Sequence, residues 1–188
     1  NVGLLDMTAF AKCRISGPGA KDFLDNLVAN KLPIKNGRVN LCHALNTKGG
    51  VHSEFTIAKE SESSFYLVSA GAFQRLDHDW IKKWMPKDRS VFFENLTNSI
   101  GVLVIAGPRS RDLLNKLSNA DFSNEAFPWL SAQKIDVGLA PSIAMRMNFV
   151  GELGWELHRP IEYQNHIFDK LMEAGKDLGI KPFGIRAM

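Results

Sequence analysis

Two stretches of the chain match in register at one fixed offset. Ile15-Ser16-Gly17-Pro18-Gly19-Ala20-Lys21-Asp22-Phe23-Leu24 aligns with Ile105-Ala106-Gly107-Pro108-Arg109-Ser110-Arg111-Asp112-Leu113-Leu114. The same offset recurs far downstream, where Phe73-Gln74 matches Tyr163-Gln164, Leu67 matches Leu157 and Asp79 matches Asp169. A solenoid needs at least about three units to bury a continuous core. Two copies therefore predict a duplicated globular domain, with pseudo-repeats at about 9–90 and 99–180 of the 188 residues.

Each copy carries the same order of elements. A short strand at 12–16 leads into Gly17-Pro18-Gly19, a turn whose proline suits the first turn of a helix. Ala20, Phe23, Leu24, Leu27 and Val28 then fall on one helical face. Strands at 39–45 and 51–58 flank Asn46-Thr47-Lys48-Gly49-Gly50, a hairpin signal. A strand at 65–69 and a helix at 73–84 follow, the latter with Leu76, Trp80, Ile81 and Trp84 on its apolar side. In the second copy the strand is 101–106 and the helix 109–117, and the polar stretch 118–125 is the least ordered segment. Strands at 133–137, 142–149 and 155–158 precede a helix at 163–174, with Ile167, Phe168, Leu171 and Met172 apolar. Hairpins mixed with two helices per copy predict an α+β fold with mostly antiparallel strands, not a doubly wound parallel sheet.

Bulk properties exclude several functions. The net charge is only +3, and the cations form no stripe, which speaks against nucleic-acid binding. The apolar runs are too short to span a membrane. Cys13 and Cys42 make neither a disulfide framework nor a zinc pattern, and as small buried hydrophobes they suit a reducing compartment. The five histidines lack i, i+4 spacing, so no metal site is predicted. The chain opens at Asn1 and stops as a new element begins, which suggests a piece of a longer polypeptide.

Two carboxylates stand out. By strand alternation Glu54 shares a face with His52 and Thr56. Its residue type alone fits equally an exposed carboxylate on an edge strand. Glu156 follows a turn with two glycines in Phe149-Val150-Gly151-Glu152-Leu153-Gly154-Trp155-Glu156 and shares a face with Gly154 and His158. A glycine there leaves room for a flat ligand near the backbone. Glu156 is either a solvated strand carboxylate or a buried one that needs donors, such as the edge of an aminopyrimidine.

At Asn46-Thr47-Lys48-Gly49-Gly50-Val51, at the Phe149–Glu156 string and at the duplicated Ile-x-Gly-Pro helix starts, the chain resembles the folate-binding aminomethyltransferase family. That family includes the glycine cleavage T-protein and the tetrahydrofolate domains of dimethylglycine and sarcosine dehydrogenases. The Leu4-Leu5-Asp6-Met7-Thr8 opening and Glu54 bring it nearest the dehydrogenases. The resemblance covers essentially the whole chain, 1–188. It implies a tetrahydrofolate-binding domain that takes part in one-carbon transfer from an amine donor, a methylated or aminomethylated glycine. FAD would belong only to a separate flavin oxidase domain, and a C-terminal barrel would follow. Glu54 stands where the family usually has an aspartate, and its implied catalytic role is to orient the reactive folate nitrogens and favour a cationic intermediate. Glu156 stands where a glutamate clamps the pterin. Phe149 replaces a tyrosine, and Leu41, Phe10 and Val68 match apolar ligand-lining positions. Trp155, beside Glu156 in sequence, joins the ligand-contacting set. Ala70 replaces an asparagine, and the arginine the family has near Met188 is unmatched, with Arg186 offset by two. The resemblance implies the cytoplasm for a bacterial protein and the mitochondrial matrix for a eukaryotic one. The other class within reach is a non-catalytic folate-binding regulator, although the Lys-Gly-Cys-Tyr signature of the iron–sulfur-assembly members is missing.

Overall fold

The computed structural model describes residues 1–149 and 151–187. Val150, in the glycine-rich motif, and Met188, near which the family has its arginine, lie outside the described residues. Along the chain run β1 (Val2–Asp6), β2 (Ala11–Ser16), α1 (Ala20–Leu27), β3 (Val39–Leu45), β4 (Val51–Ser61), β5 (Ser64–Ser69), α2 (Gln74–Trp84), β6 (Phe92–Asn95), β7 (Ile100–Ala106), α3 (Ser110–Asn115), β8 (Ala132–Val137), β9 (Ala140–Met145), β10 (Gly154–Pro160), α4 (Gln164–Ala174) and β11 (Ile180–Pro182). They form two compact units. One is contiguous, Ala9–Thr97, and the other joins Asn1–Thr8 to the chain from Asn98 onward.

The contiguous unit is an antiparallel sheet ordered β3-β4-β5-β2-β6. Alternate residues of its strands, among them Cys13, Ile15, Cys42, Ala44, Phe55, Ile57, Phe65 and Leu67, pack with Phe23 and Leu24 of α1 and Ile81 of α2. Full burial of a side chain of this size is worth about 1.5–3 kcal/mol. Burial also pushes the Cys13 thiol up to about 12, with Asp77 adding to the effect, and the Cys42 thiol up to about 11.

The second unit orders its strands β11-β1-β7-β10-β9-β8. Here β7 is buried along nearly its whole length, which explains its unbroken apolar run. Leu103 and Ile105 of β7 and Trp155 and Leu157 of β10 pack with Leu113, Leu114, Ile167 and Leu171 of the helices. Among the described residues its pairings are antiparallel, apart from β1 with β11.

The sequence repeat is a repeat of backbone bonds. The Gly17 N–H donates to Ser63 O at 2.9 Å and the Gly107 N–H to Leu153 O at 2.8 Å, while Ala20 N and Ser110 N donate to the Gly17 and Gly107 carbonyls at 3.1 Å each. Both glycines hold positive φ, 112° and 124°. A Cβ on Gly17 would lie 2.4 Å from Ser90 O, and one on Gly107 2.7 Å from Asn1 O. The copies differ in the strand that lies beside β2 and β7. Beside β2 runs β6, which follows α2 in sequence, whereas beside β7 runs β1, from the start of the chain, and the strand after α4 is displaced outward.

Several expectations are corrected. Leu76 and Trp84 of α2 are exposed, while Asp77, His78 and Ile81 are buried. The helix is oriented by Trp80 stacking on His52 and by His78 meeting the Phe93 edge, which turns the Leu76 side outward. The stretch 118–125 is tethered, since Phe122 is buried and the Arg111 guanidinium donates to Phe122 O and Asn124 Oδ1. The strand at 142–149 ends at Met145.

A buried cation ties Thr8, just past β1, to the rest of its unit. Arg159 donates to Leu157 O and Gln164 Oε1, and the Gln164 amide donates to Thr8 Oγ1, which also accepts the Val102 N–H. Burial lowers the Arg159 guanidinium to about 10, against the attraction of Asp6.

Gly17→Ala and Gly107→Ala should each cost at least roughly 2 kcal/mol, because strained φ and a backbone clash add. Gly49→Ala, where φ is positive but a Cβ meets nothing within 4 Å, should cost less. Denaturant midpoints of the three variants check the order. With both thiols buried and their ionisation suppressed, a thiol-specific reagent should label neither cysteine in the folded protein and both after unfolding in guanidinium.

Candidate functional site

In the contiguous unit, alternation sends every second strand residue to the sheet face opposite the helices. Register makes Leu41, Thr56, Val68 and Lys12 one row across β3, β4, β5 and β2 on that face. Leu41 is half-exposed and Val68 buried, and Phe10, half-buried, directly precedes β2. Lys12 is fully buried, and its ammonium donates to Phe10 O at 2.6 Å. Nothing in the alternating Lys12-Cys13-Arg14 pattern distinguishes this lysine from a solvated one.

Glu54 sits in the next row, paired with His43. Its strand is internal, not an edge. β5 runs out at Ser69, just past the Thr56–Val68 pair, so Glu54 stays 57% exposed. Glu54 Oε2 lies 3.0 Å from His43 Nε2. His52 does not share this face. The register shifts between Ala44 and Leu45, and the His52 ring stacks on Trp80 of α2 with centroids 3.9 Å apart. The bulge rotates the strand and breaks the parity that alternation alone assumes.

In the second unit Glu156 lies on β10, between Val104 of β7 and Met145 of β9. It is only 6% exposed, so the solvated alternative falls. His158, also buried, places Nε2 3.1 Å from Glu156 Oε2. Oε1 takes no hydrogen bond from a described residue and is not among the buried unpartnered atoms, so it reaches solvent. On a largely buried carboxylate held by His158, that open oxygen is where an outside donor can bind.

Trp155 is adjacent to Glu156 in sequence and therefore on the opposite face of the strand. It is fully buried in the helix-covered core, edge-on to Phe122 and Phe127, with the Arg111 and Arg146 guanidiniums over its ring. The expected ligand contact is replaced by core packing. Gly154 leaves no slot for a flat ligand either. The place of its Cβ lies 2.5 Å from both Ile105 O and the Asn148 amide nitrogen. Phe149 stands 80% exposed in the segment after β9, and Arg186 is exposed in a 3-10 turn, Ile185–Ala187. Among the described residues no cluster of three or more His, Cys, Asp or Glu could hold a metal, and no helix is long and apolar enough to cross a membrane.

The sheet order, the repeated Gly-Pro turns and the paired buried carboxylate define a class of domain that comparison with known proteins makes explicit. Residues 1–188 match the family described as the GCVT N-terminal domain, and the chain belongs to that family. It is 36% identical over its full length to mitochondrial dimethylglycine dehydrogenase of Homo sapiens. It is 33% identical to the mitochondrial pyruvate dehydrogenase phosphatase regulatory subunit of Mus musculus. It spans 22% of the length of each of these curated relatives. The fold matches the glycine cleavage system aminomethyltransferase T of Bartonella henselae with a TM-score of 0.84 at 20% identity, covering 99% of this chain and 48% of that one.

Proposed function

We propose that this domain binds tetrahydrofolate and takes part in transfer of a one-carbon unit from a glycine derivative such as dimethylglycine or sarcosine. The observation that carries this reading is Glu156, a largely buried carboxylate with one oxygen held by His158 and the other open to an outside donor. The aminopyrimidine edge of a pterin presents the N–H donors that such a carboxylate needs, and charge-assisted bonds of this kind are strong. When bound, tetrahydrofolate supplies the nucleophilic nitrogens that accept the one-carbon unit. Glu156 would hold the pterin, Leu41, Val68 and Phe10 would give apolar contact, and Phe149 would add a ring. Glu54, more exposed and paired with His43, would place a negative charge where positive charge develops.

FAD and the oxidation of the amine donor would belong to a separate domain, in keeping with the small share of the dehydrogenase that the chain spans. The compartment would be the mitochondrial matrix in a eukaryote and the cytoplasm in a bacterium. A second reading, a non-catalytic folate-binding regulator, is favoured by the similarity to a regulatory subunit. It predicts binding without transfer.

Calorimetric titration with tetrahydrofolate should show binding that Glu156→Ala weakens by roughly ten- to a hundredfold, the loss expected for bonds to a charged group. Unchanged affinity in the variant would remove Glu156 from the pterin site. Glu54→Ala should slow formation of methylenetetrahydrofolate while leaving affinity within about threefold, since its charge acts on the developing cation. Full transfer activity in that variant would exclude the catalytic role.

A further inference from the structure

His43 stands between two oxygens. On one side Nε2 lies 3.0 Å from Glu54 Oε2. On the other, Nδ1 lies 3.3 Å from Asn30 Oδ1. The orientation of the Asn30 amide is fixed independently of the ring, because the same Oδ1 accepts the His43 backbone N–H at 2.9 Å. The His43 carbonyl in turn accepts the Ala29 N–H at 2.8 Å. The segment after α1 thus grips both backbone groups of His43 on the outer side of β3, which is the edge strand of its sheet.

This arrangement constrains the protons. A carboxylate oxygen is an acceptor only, so the proton in the 3.0 Å contact sits on Nε2, which donates to Glu54. On the other edge of the ring Nδ1 faces Asn30 Oδ1, also an acceptor, so any proton on Nδ1 is directed there.

We propose that His43, braced by Asn30, is the positioning residue for Glu54. It fixes Oε2 and the side-chain rotamer and leaves Oε1 free to meet the cationic end of a substrate. The bond also restrains a half-exposed side chain that would otherwise sample several rotamers. The role of Glu54 itself is that of the proposed function, on which this inference rests. The sequence gives no sign of the trio. Asn30 and His43 are brought together by the turn of chain after α1, and only the register of β3 with β4 sets His43 opposite Glu54.

Long-range nitrogen–proton NMR of the imidazoles tests the geometry without any substrate. In the wild type, His43 should show a proton on Nε2, bonded to Glu54. In Glu54→Gln, whose amide can donate to Nε2, the proton should move to Nδ1. In Asn30→Ala it should keep the proton on Nε2. A single neutral tautomer unchanged across all three proteins would overturn the proposal. Activity gives the second arm. His43→Ala should lower kcat for transfer by roughly ten- to a hundredfold, the scale of a misplaced catalytic group, with little change in KM for tetrahydrofolate. His43→Gln, which restores a donor near Oε2, should recover much of that loss. Equal activity of His43→Ala and the wild type would sink the positioning role. If Glu54→Ala also proved fully active while the NMR pattern held, the failure would lie with the catalytic reading of Glu54 and not with the hydrogen-bond geometry.

Discussion

Everything this chain presents depends on sheets that bury one face under helices and so deliver alternate residues to the other. In the contiguous unit the helix-covered face takes Cys42, Phe55, Ile57 and Leu67. Their neighbours Leu41, Glu54, Thr56 and Val68 have no choice but the opposite side. In the second unit Trp155 and Leu157 enter the core, and Glu156 and His158 go the other way. A one-residue slip in either sheet would exchange apolar and ionisable sets, which holds the register firmly. The positions of the glutamates are thus a by-product of core packing, set by residues that never meet a ligand.

The polar groups on the far side are not uniformly wet. Lys12, Glu156 and His158 are buried, and each is provided for locally: Lys12 by the Phe10 carbonyl, the other two by one another. Burial without a partner would cost several kcal/mol per group. Glu54 lies at the other extreme, half in solvent, where one ion pair is worth little for stability. The two carboxylates thus differ in setting: Glu156 is held within the sheet face, and Glu54 meets solvent with His43 at its side.

Much of the architecture was legible because periodicity survives in long, buried elements. The repeated Ile-x-Gly-Pro turns, the β3–β4 hairpin and the amphipathic α1 and α4 are all set by local sequence. β1, β6 and β11 left no such trace. They span five, four and three residues, and they are strands only because distant partners complete them. At the site, alternation places Glu54 with Thr56 and would have separated Trp155 from Glu156 had parity been weighed above adjacency. His52 could not be placed by that rule, since a bulge is a property of two strands and not of one. Lys12 and Asn30 were out of reach for a related reason: what they do depends on a carbonyl and a ring supplied by other segments.

The place of β1 has a consequence for how the molecule is made. The contiguous unit contains all its own strands, so its sheet can close as soon as Thr97 has emerged during synthesis. The other unit begins first and finishes last. Its opening strand must wait, unpaired, through the whole of the intervening unit until β7 arrives to meet it. Loop closure over that span is entropically slow, and non-local pairing of this kind retards folding. Residues 1–8 therefore gain their β7 partner only after the whole contiguous unit has been made. The Arg159–Gln164–Thr8 tether, which joins residues on both sides of the gap, can form only after that closure, as a lock set at the end of folding.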